Sequence, residues 1–124
     1  MTDSVLLLPR TVLASSQTLV DVARCWRAAR DHGGPVQPRL FRLLARRGDM
    51  LAPVFDSLLT LYEAMLGRPV EVGHAQRLSA DERRLVGLLD GSLQVPHVAN
   101  DSAPTALECA ISSTRLMIDC AGRA

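Results

Sequence analysis

Lysine is missing from this chain: its fourteen Lys-or-Arg positions are all arginine. The guanidinium fork matters where it meets a carboxylate or a phosphate, so the absence carries little weight until arginine positions are considered. Aromatic residues are scarce at 3 %, one Trp, one Tyr and two Phe. That scarcity is poor material for a sandwich or a barrel and for a base-stacking surface, and it suits helices better. Three cysteines, Cys25, Cys109 and Cys120, form an odd set without close-pair spacing, which argues against a disulfide framework and fits a reducing compartment. Long apolar runs are also missing. The N-terminal one, Val5 to Leu8, follows an acid and is cut by Pro9, too short for a signal core or a membrane span. The expectation from these absences is a cytoplasmic protein with no membrane association.

What is present points to one helical domain. A chain of 124 residues with 48 % hydrophobic and 22 % charged content can bury roughly two-thirds of the surface that its unfolded form exposes. We therefore read residues 1–124 as a single compact all-α domain. Val12, Leu19, Val20, Ala23 and Trp26 recur at helical spacing after Pro9, up to the Gly33-Gly34 stop, and predict a first helix over about residues 10–32. Pro38 opens a short basic helix that carries Leu40, Phe41, Leu43 and Leu44 to a stop at Gly48. Asp49 caps a third helix from Leu51 to Leu66, apolar around more than one face, and Gly67 and Pro69 end it. Val70 and Val72 lie in an irregular segment. Ser79 with Glu82 spells a capping box for a fourth helix, which ends at Asp90-Gly91. Ser102 and Pro104 begin a fifth, running to about Ala121, with one stripe of Leu107, Ile111, Thr114 and Ile118 and a smaller-residue stripe of Cys109, Ser113, Leu116 and Cys120. The expected architecture is an irregular bundle of five helices, the third one central.

Charge is sorted along the chain. Residues 1–50 hold 8 Arg and 4 Asp, or +4, and residues 51–124 hold 6 Arg and 9 acids, or −3. Seven arginines, Arg24, Arg27, Arg30, Arg39, Arg42, Arg46 and Arg47, face a single acid, Asp31, within residues 24–47. The first three share one side of the first helix, and 39, 42 and 46 step along one side of the second. Each can donate to a carboxylate or phosphate, so the set is the candidate anion-facing or partner-facing surface. The competing account is plain: the arginines are solvated faces, or pair with acids of the negative half such as Asp81, Glu82 and Asp90.

For DNA, Leu78 to Leu89 (LSADERRLVGLL) resembles the capped first helix of the DNA-reading region of sigma factors and similar regulators. The resemblance covers these residues and stops. A helix-turn-helix needs a turn of about three or four residues, whereas about a dozen, Pro96 among them, precede the last helix, whose basic residues are Arg115 and Arg123.

Catalytic motifs of the nucleophile-elbow, zincin, Walker and dinucleotide types do not occur. His32, His74 and His97 are scattered, and no pair sits at metal-ligand spacing. Cys25, between Arg24 and Arg27, has charges that favour a thiolate, though a helical cysteine is more commonly a small buried hydrophobe. Asp56, Glu63 and Glu108 are acids on apolar helices, of interest as acid-base groups only where buried. The reading is therefore a non-enzymatic binding or regulatory module, with no cofactor or metal, that presents its arginine surface to an acidic protein partner or anionic ligand. The alternative is a nucleic-acid-binding domain that uses the same surface. Homodimerisation is expected too, because the apolar residues of the third helix and the small-residue stripe of the fifth exceed what a thin domain readily hides.

Overall fold

Leu19, Val22, Ala23, Trp26 and Ala29 recur at i, i+3, i+4, i+7 and i+10, so they share one side of the first helix, and all five are buried. In a computed structural model, which describes residues 2–45, 48–96 and 103–123 (side chains of 16–45, 49–96 and 104–120), the chain is all-α with five helices: α1 Thr2–Asp31, α2 Val36–Leu44, α3 Gly48–Leu66, α4 Ala80–Asp90 and α5 Ala103–Arg123. No strand occurs among the described residues beyond an isolated bridge between His74 and Arg77. No helix among them is long and apolar enough to cross a membrane.

The boundaries correct the sequence expectation in three places. α1 runs through Pro9 instead of beginning after it; a proline forgoes one backbone bond and bends a helix without obliging it to stop. α2 begins at Val36, so Pro38 stands in its first turn, where backbone NH groups have no helical partner to lose, and it ends at Leu44 instead of Gly48. Gly48 opens α3. Ser102, the expected cap of α5, and His97 lie outside the described residues.

The other ends follow the cap chemistry. Gly33 takes φ 65°, with Gly34 N–H bonded to Ala29 O at 2.8 Å and Gly33 N–H to Arg30 O at 3.3 Å, the paired bonds of a Schellman ending. At α4, Ser79 Oγ accepts from Glu82 N–H at 3.0 Å and Glu82 Oε1 accepts from Ser79 N–H at 2.9 Å, so the capping box is complete. Arg115 of α5 donates to the carbonyls of Leu89 and Leu88 at 2.6 and 2.7 Å, satisfying acceptors that the last turn of α4 leaves open.

α3 packs most extensively on α5 and then on α2, while α1 lies against α2, α4 and α3. Leu51, Phe55, Leu58, Leu59 and Tyr62 are fully enclosed, with Leu107 and Ile111 of α5, Leu40 and Leu44 of α2, and Trp26 of α1 around them. Burial of each large side chain contributes about 1.5–3 kcal/mol. α4 departs from the expected ring around α3: it sits on α1 and α5, and α3 reaches it through Tyr62 OH, which donates to Asp81 O at 2.7 Å.

The apolar surplus of α3 that suggested a homodimer is largely covered within the chain: Met50, 39 % exposed, is its large apolar residue left at the surface. On α5 Leu107, Ile111 and Thr114 of the expected apolar stripe are buried and Ile118 is half-buried, while the small-residue stripe faces outward. Leu116 is exposed, and Cys109 and Cys120 are exposed free thiols.

Candidate functional site

The structure divides the seven arginines. Arg24 is half-buried and points at α4: Nε donates to Glu82 Oε2 at 2.8 Å and Nη2 to Oε1 at 3.2 Å. Its remaining donors reach the carbonyls of Ala75 at 2.7 Å and Arg77 at 3.3 Å. Arg27 bridges Asp31 at 2.9 Å and Glu63 at 2.6 Å. Arg30 lies with Cζ 4.8 Å from the centroid of the Trp26 ring, and its guanidinium stands 3.9 Å from Glu63. Glu63 is closed from the other side by Val70 N–H at 2.9 Å.

These contacts belong to a polar clamp that holds the segment between α3 and α4. Arg68 takes both oxygens of Asp81, at 2.6 and 2.8 Å, and Glu71 N–H donates to the same carboxylate at 2.8 Å. Ser79 Oγ–H reaches back to Glu71 O at 2.7 Å. The bond from Arg68, helped by Glu71 N–H, holds the Asp81 carboxyl below the usual carboxylate range although burial opposes it. Burial is the largest influence on Glu82 and disfavours its charge, yet Arg24 with the NH groups of Ser79 and Gly73 outweighs it, so this carboxyl is also lowered. Burial pushes the Tyr62 phenol up. No buried side-chain N or O among the described residues lacks a partner. A fully satisfied network of this kind fixes a loop; it offers no open position to a substrate.

Sequence reasoning gave Asp81 and Glu82 as possible arginine partners, and Arg24 with Glu82 is such a pair. Arg68 was outside the arginine set because it lies in the loop after α3, where no helical spacing draws attention to it.

Arg39 and Arg42 are placed differently. Both are exposed on α2, and neither has an acid within ion-pair distance among the described residues. The Arg39 guanidinium lies over Gly34, close enough that a Cβ there would stand 2.7 Å from Nη2. Arg42 lines an open groove of about 820 Å³ together with Gln37, Pro38, Phe41 and Ala45 of the α2 side and Asp49, Ala52 and Pro53 of α3. Phe41 and Leu43 are 47 % and 46 % exposed. Arg46 and Arg47 lie outside the described residues.

The acid-base and thiol candidates resolve as follows. Asp56 accepts Trp26 Nε1–H at 2.9 Å and a Gln37 amide hydrogen at 3.1 Å. Trp26 is fully buried, as its place in the apolar stripe implies. Burial pushes the Cys25 thiol up, against a smaller opposite pull from Arg39, so the positive neighbours do not make it a thiolate at neutral pH. His32 Nδ1 lies 2.8 Å from Ala28 O at the end of α1, and His74 is exposed in the 74–77 turn. Glu108 is exposed on α5. No group of three or more His, Cys, Asp or Glu among the described residues is disposed to hold a metal ion.

Comparison of the chain with protein-family models, with curated proteins and with solved structures finds no match.

Proposed function

We propose that this protein is a non-enzymatic binding or regulatory module that presents the basic, partly apolar outer side of α2 to an acidic protein partner. The observation behind this reading is the unequal employment of the arginines. Arg24, Arg27, Arg30 and Arg68 stand beside Glu82, Asp31, Glu63 and Asp81, whereas Arg39 and Arg42 have no acid within ion-pair distance among the described residues and flank the exposed Phe41. An internal ion pair serves the fold; an exposed guanidinium without an acid is available to another molecule's carboxylate. Arginine beside an aromatic ring is also the composition enriched at protein interfaces and their hot spots.

The groove supports binding over catalysis. Among the described residues that line it are one carboxylate, Asp49, and neither His nor Cys, so these residues do not form the convergent acid, base and nucleophile that a reaction needs. The nucleic-acid alternative would use the same two arginines with Phe41 as the stacking ring.

Fluorescence anisotropy separates the two readings. Labelled Glu-rich peptide, mixed-sequence duplex DNA and single-stranded RNA are titrated across a salt series against the wild type and an Arg39→Ala/Arg42→Ala double variant. The acidic-partner reading expects peptide binding that the double variant loses. Binding of DNA or RNA that weakens steeply with salt, without peptide binding, would replace it with the nucleic-acid reading.

A further inference from the structure

We propose that the 74–77 turn and the first turns of α4 form a contact face for the phosphate backbone of double-stranded nucleic acid, with Arg77, Arg83 and Arg84 donating to phosphate oxygens. This face is separate from α2 and goes beyond the acidic-partner reading.

Folding sorts the charges of this stretch. Residues 68–84 hold four arginines, Arg68, Arg77, Arg83 and Arg84, and three acids, Glu71, Asp81 and Glu82. Asp81 and Glu82 are turned inward, 4 % and 1 % exposed, and their carboxylates are taken up by Arg68 and Arg24. Glu71 is exposed and pairs with Arg68 at 3.3 Å. Arg77, Arg83 and Arg84 remain at the surface, and no acid among the described residues comes within ion-pair distance of them. Asp90 stands at the far end of α4, bonded to Ser92 N–H at 2.8 Å, and Asp21 of α1 accepts a Gln17 amide hydrogen at 3.0 Å. A stretch of mixed charge in the sequence thus becomes a basic surface over an acidic interior.

The platform beneath it is rigid. His74 and Arg77 exchange both backbone hydrogen bonds, at 3.0 and 2.9 Å, so their side chains stand on the same side of the bridge and an exposed imidazole lies beside the Arg77 fork. From α1, Arg24 holds the carbonyls of Ala75 and Arg77 at 2.7 and 3.3 Å. These contacts keep Ala75 at φ 53°, a value that costs energy unless the surroundings impose it. Two residues after the turn the Ser79 capping box opens α4, and Arg83 N–H donates to Ser79 O at 3.0 Å. A surface already held in place loses little freedom on binding.

Composition selects the partner. Protein interfaces are built around apolar and aromatic anchors, and no large apolar side chain of residues 67–90 is exposed. A single strand gains from stacking its bases on rings, but Trp26, Phe55 and Tyr62 are buried and Phe41 belongs to α2. A duplex backbone asks only for cations and hydrogen-bond donors, and it presents one charge per about 1.7 Å of axis. Base reading has no part in it, because α4 gives its Leu85 and Leu88 side to the core and ends in an exposed acid, Asp90.

The test is fluorescence anisotropy with labelled mixed-sequence DNA duplex, the matching RNA duplex, a single strand of each and a Glu-rich peptide, over about 25–200 mM NaCl. Expected is duplex binding at low salt, indifferent to sequence, with a log–log salt slope of about −2.7 for three neutralised phosphates, or roughly fortyfold weaker binding at 200 than at 50 mM. Each of Arg77→Ala, Arg83→Ala and Arg84→Ala should reduce that slope by about 1. The triple alanine variant should lose binding, the triple lysine variant should keep it because a backbone contact asks for charge, and Arg39→Ala/Arg42→Ala should leave it unchanged. Circular dichroism and melting temperature should match the wild type. If removal of Arg84, whose charge Asp81 feels, lowers the melting temperature, Arg77→Ala/Arg83→Ala carries the test instead. The tighter of the two duplexes identifies the nucleic acid as DNA or RNA. No duplex binding at low salt, or binding that survives the triple alanine change, would overturn the proposal. So would a single strand bound more tightly than either duplex, or peptide binding that the triple alanine variant loses. Duplex binding lost in Arg39→Ala/Arg42→Ala and kept in the triple alanine variant would move the contact to α2, whereas the acidic-partner reading rests on the peptide and that double variant alone.

Discussion

Arg24 and Glu82 are 58 residues apart in sequence and meet through two hydrogen bonds of 2.8 and 3.2 Å, joining α1 to the first turn of α4. The Glu82 carboxylate is fully enclosed while Arg24 keeps an edge at the surface. The asymmetry makes the carboxylate the vulnerable partner.

Removing the guanidinium strands a buried negative charge. Arg24→Met should lower the unfolding free energy by about 2–4 kcal/mol, measured by urea denaturation. In that background Glu82→Gln should recover part of the loss, because a neutral amide needs no counter-charge yet can still accept from Ser79 N–H. A double variant as unstable as the sum of its two single changes would show that the pair is not coupled.

Acid should weaken the clamp. Asp81 and Glu82 both have folded-state pKa values below their ordinary ones, so the unfolded chain binds more protons as pH falls through the ordinary carboxylate range of about 4. The contribution is fully present above about pH 5 and is lost as pH drops through the lowered folded-state values. Melting temperatures from pH 6 to pH 3 should decline, and Asp81→Asn should reduce the slope.

Two small residues in the segment after α3 should respond oppositely to substitution. Ala75 has φ 53° in a turn closed by His74 N–H to Arg77 O at 3.0 Å and Arg77 N–H to His74 O at 2.9 Å, a conformation natural to glycine. Ala75→Gly should stabilise by about 0.5–1 kcal/mol. A Cβ on Gly73 would collide with the Arg77 carbonyl and approach Glu82 Oε1 to 2.8 Å. Gly73→Ala should destabilise by about 2 kcal/mol or more, and paired thermal melts distinguish the two signs.

Trp26, the single tryptophan, combines full burial, a bond to Asp56 and the Arg30 guanidinium over its ring. Trp26→Phe should cost about 1–3 kcal/mol through the lost donor, volume and cation contact. In the wild type, tryptophan emission should shift to the red on unfolding in one step with the helical signal.

Helices were legible where local chemistry decides them. The Ser79 and Glu82 capping box and the Gly33 ending involve residues close in sequence, and both stand as read. The starts of α1 and α2 were not: Pro9 reads as a break, but the helical bonds on either side of it outweigh the one forgone, and Pro38 costs no helical bond anywhere in a first turn, so it does not mark which residue opens α2. The arginines show a different limit. Spacing places 24, 27 and 30 on one side of α1 correctly, but it cannot tell whether that side meets water or Glu63 and Glu82, which arrive from α3 and α4. Arg39 and Arg42 remain outward for the converse reason: among the described residues no acid comes within ion-pair distance of them.

The heaviest packing in the molecule joins α3 to α5, with residues 67–102 between them. A chain emerging from the ribosome can form α1, α2 and α3 and bring Leu40 and Leu44 onto Phe55 and Leu59, but the side of α3 owed to Leu107 and Ile111 stays bare until α5 has been synthesised. Over that interval a leucine-rich surface is open to solvent. Aggregation during expression, and any demand for a chaperone, should therefore rise when translation is paused between α4 and α5.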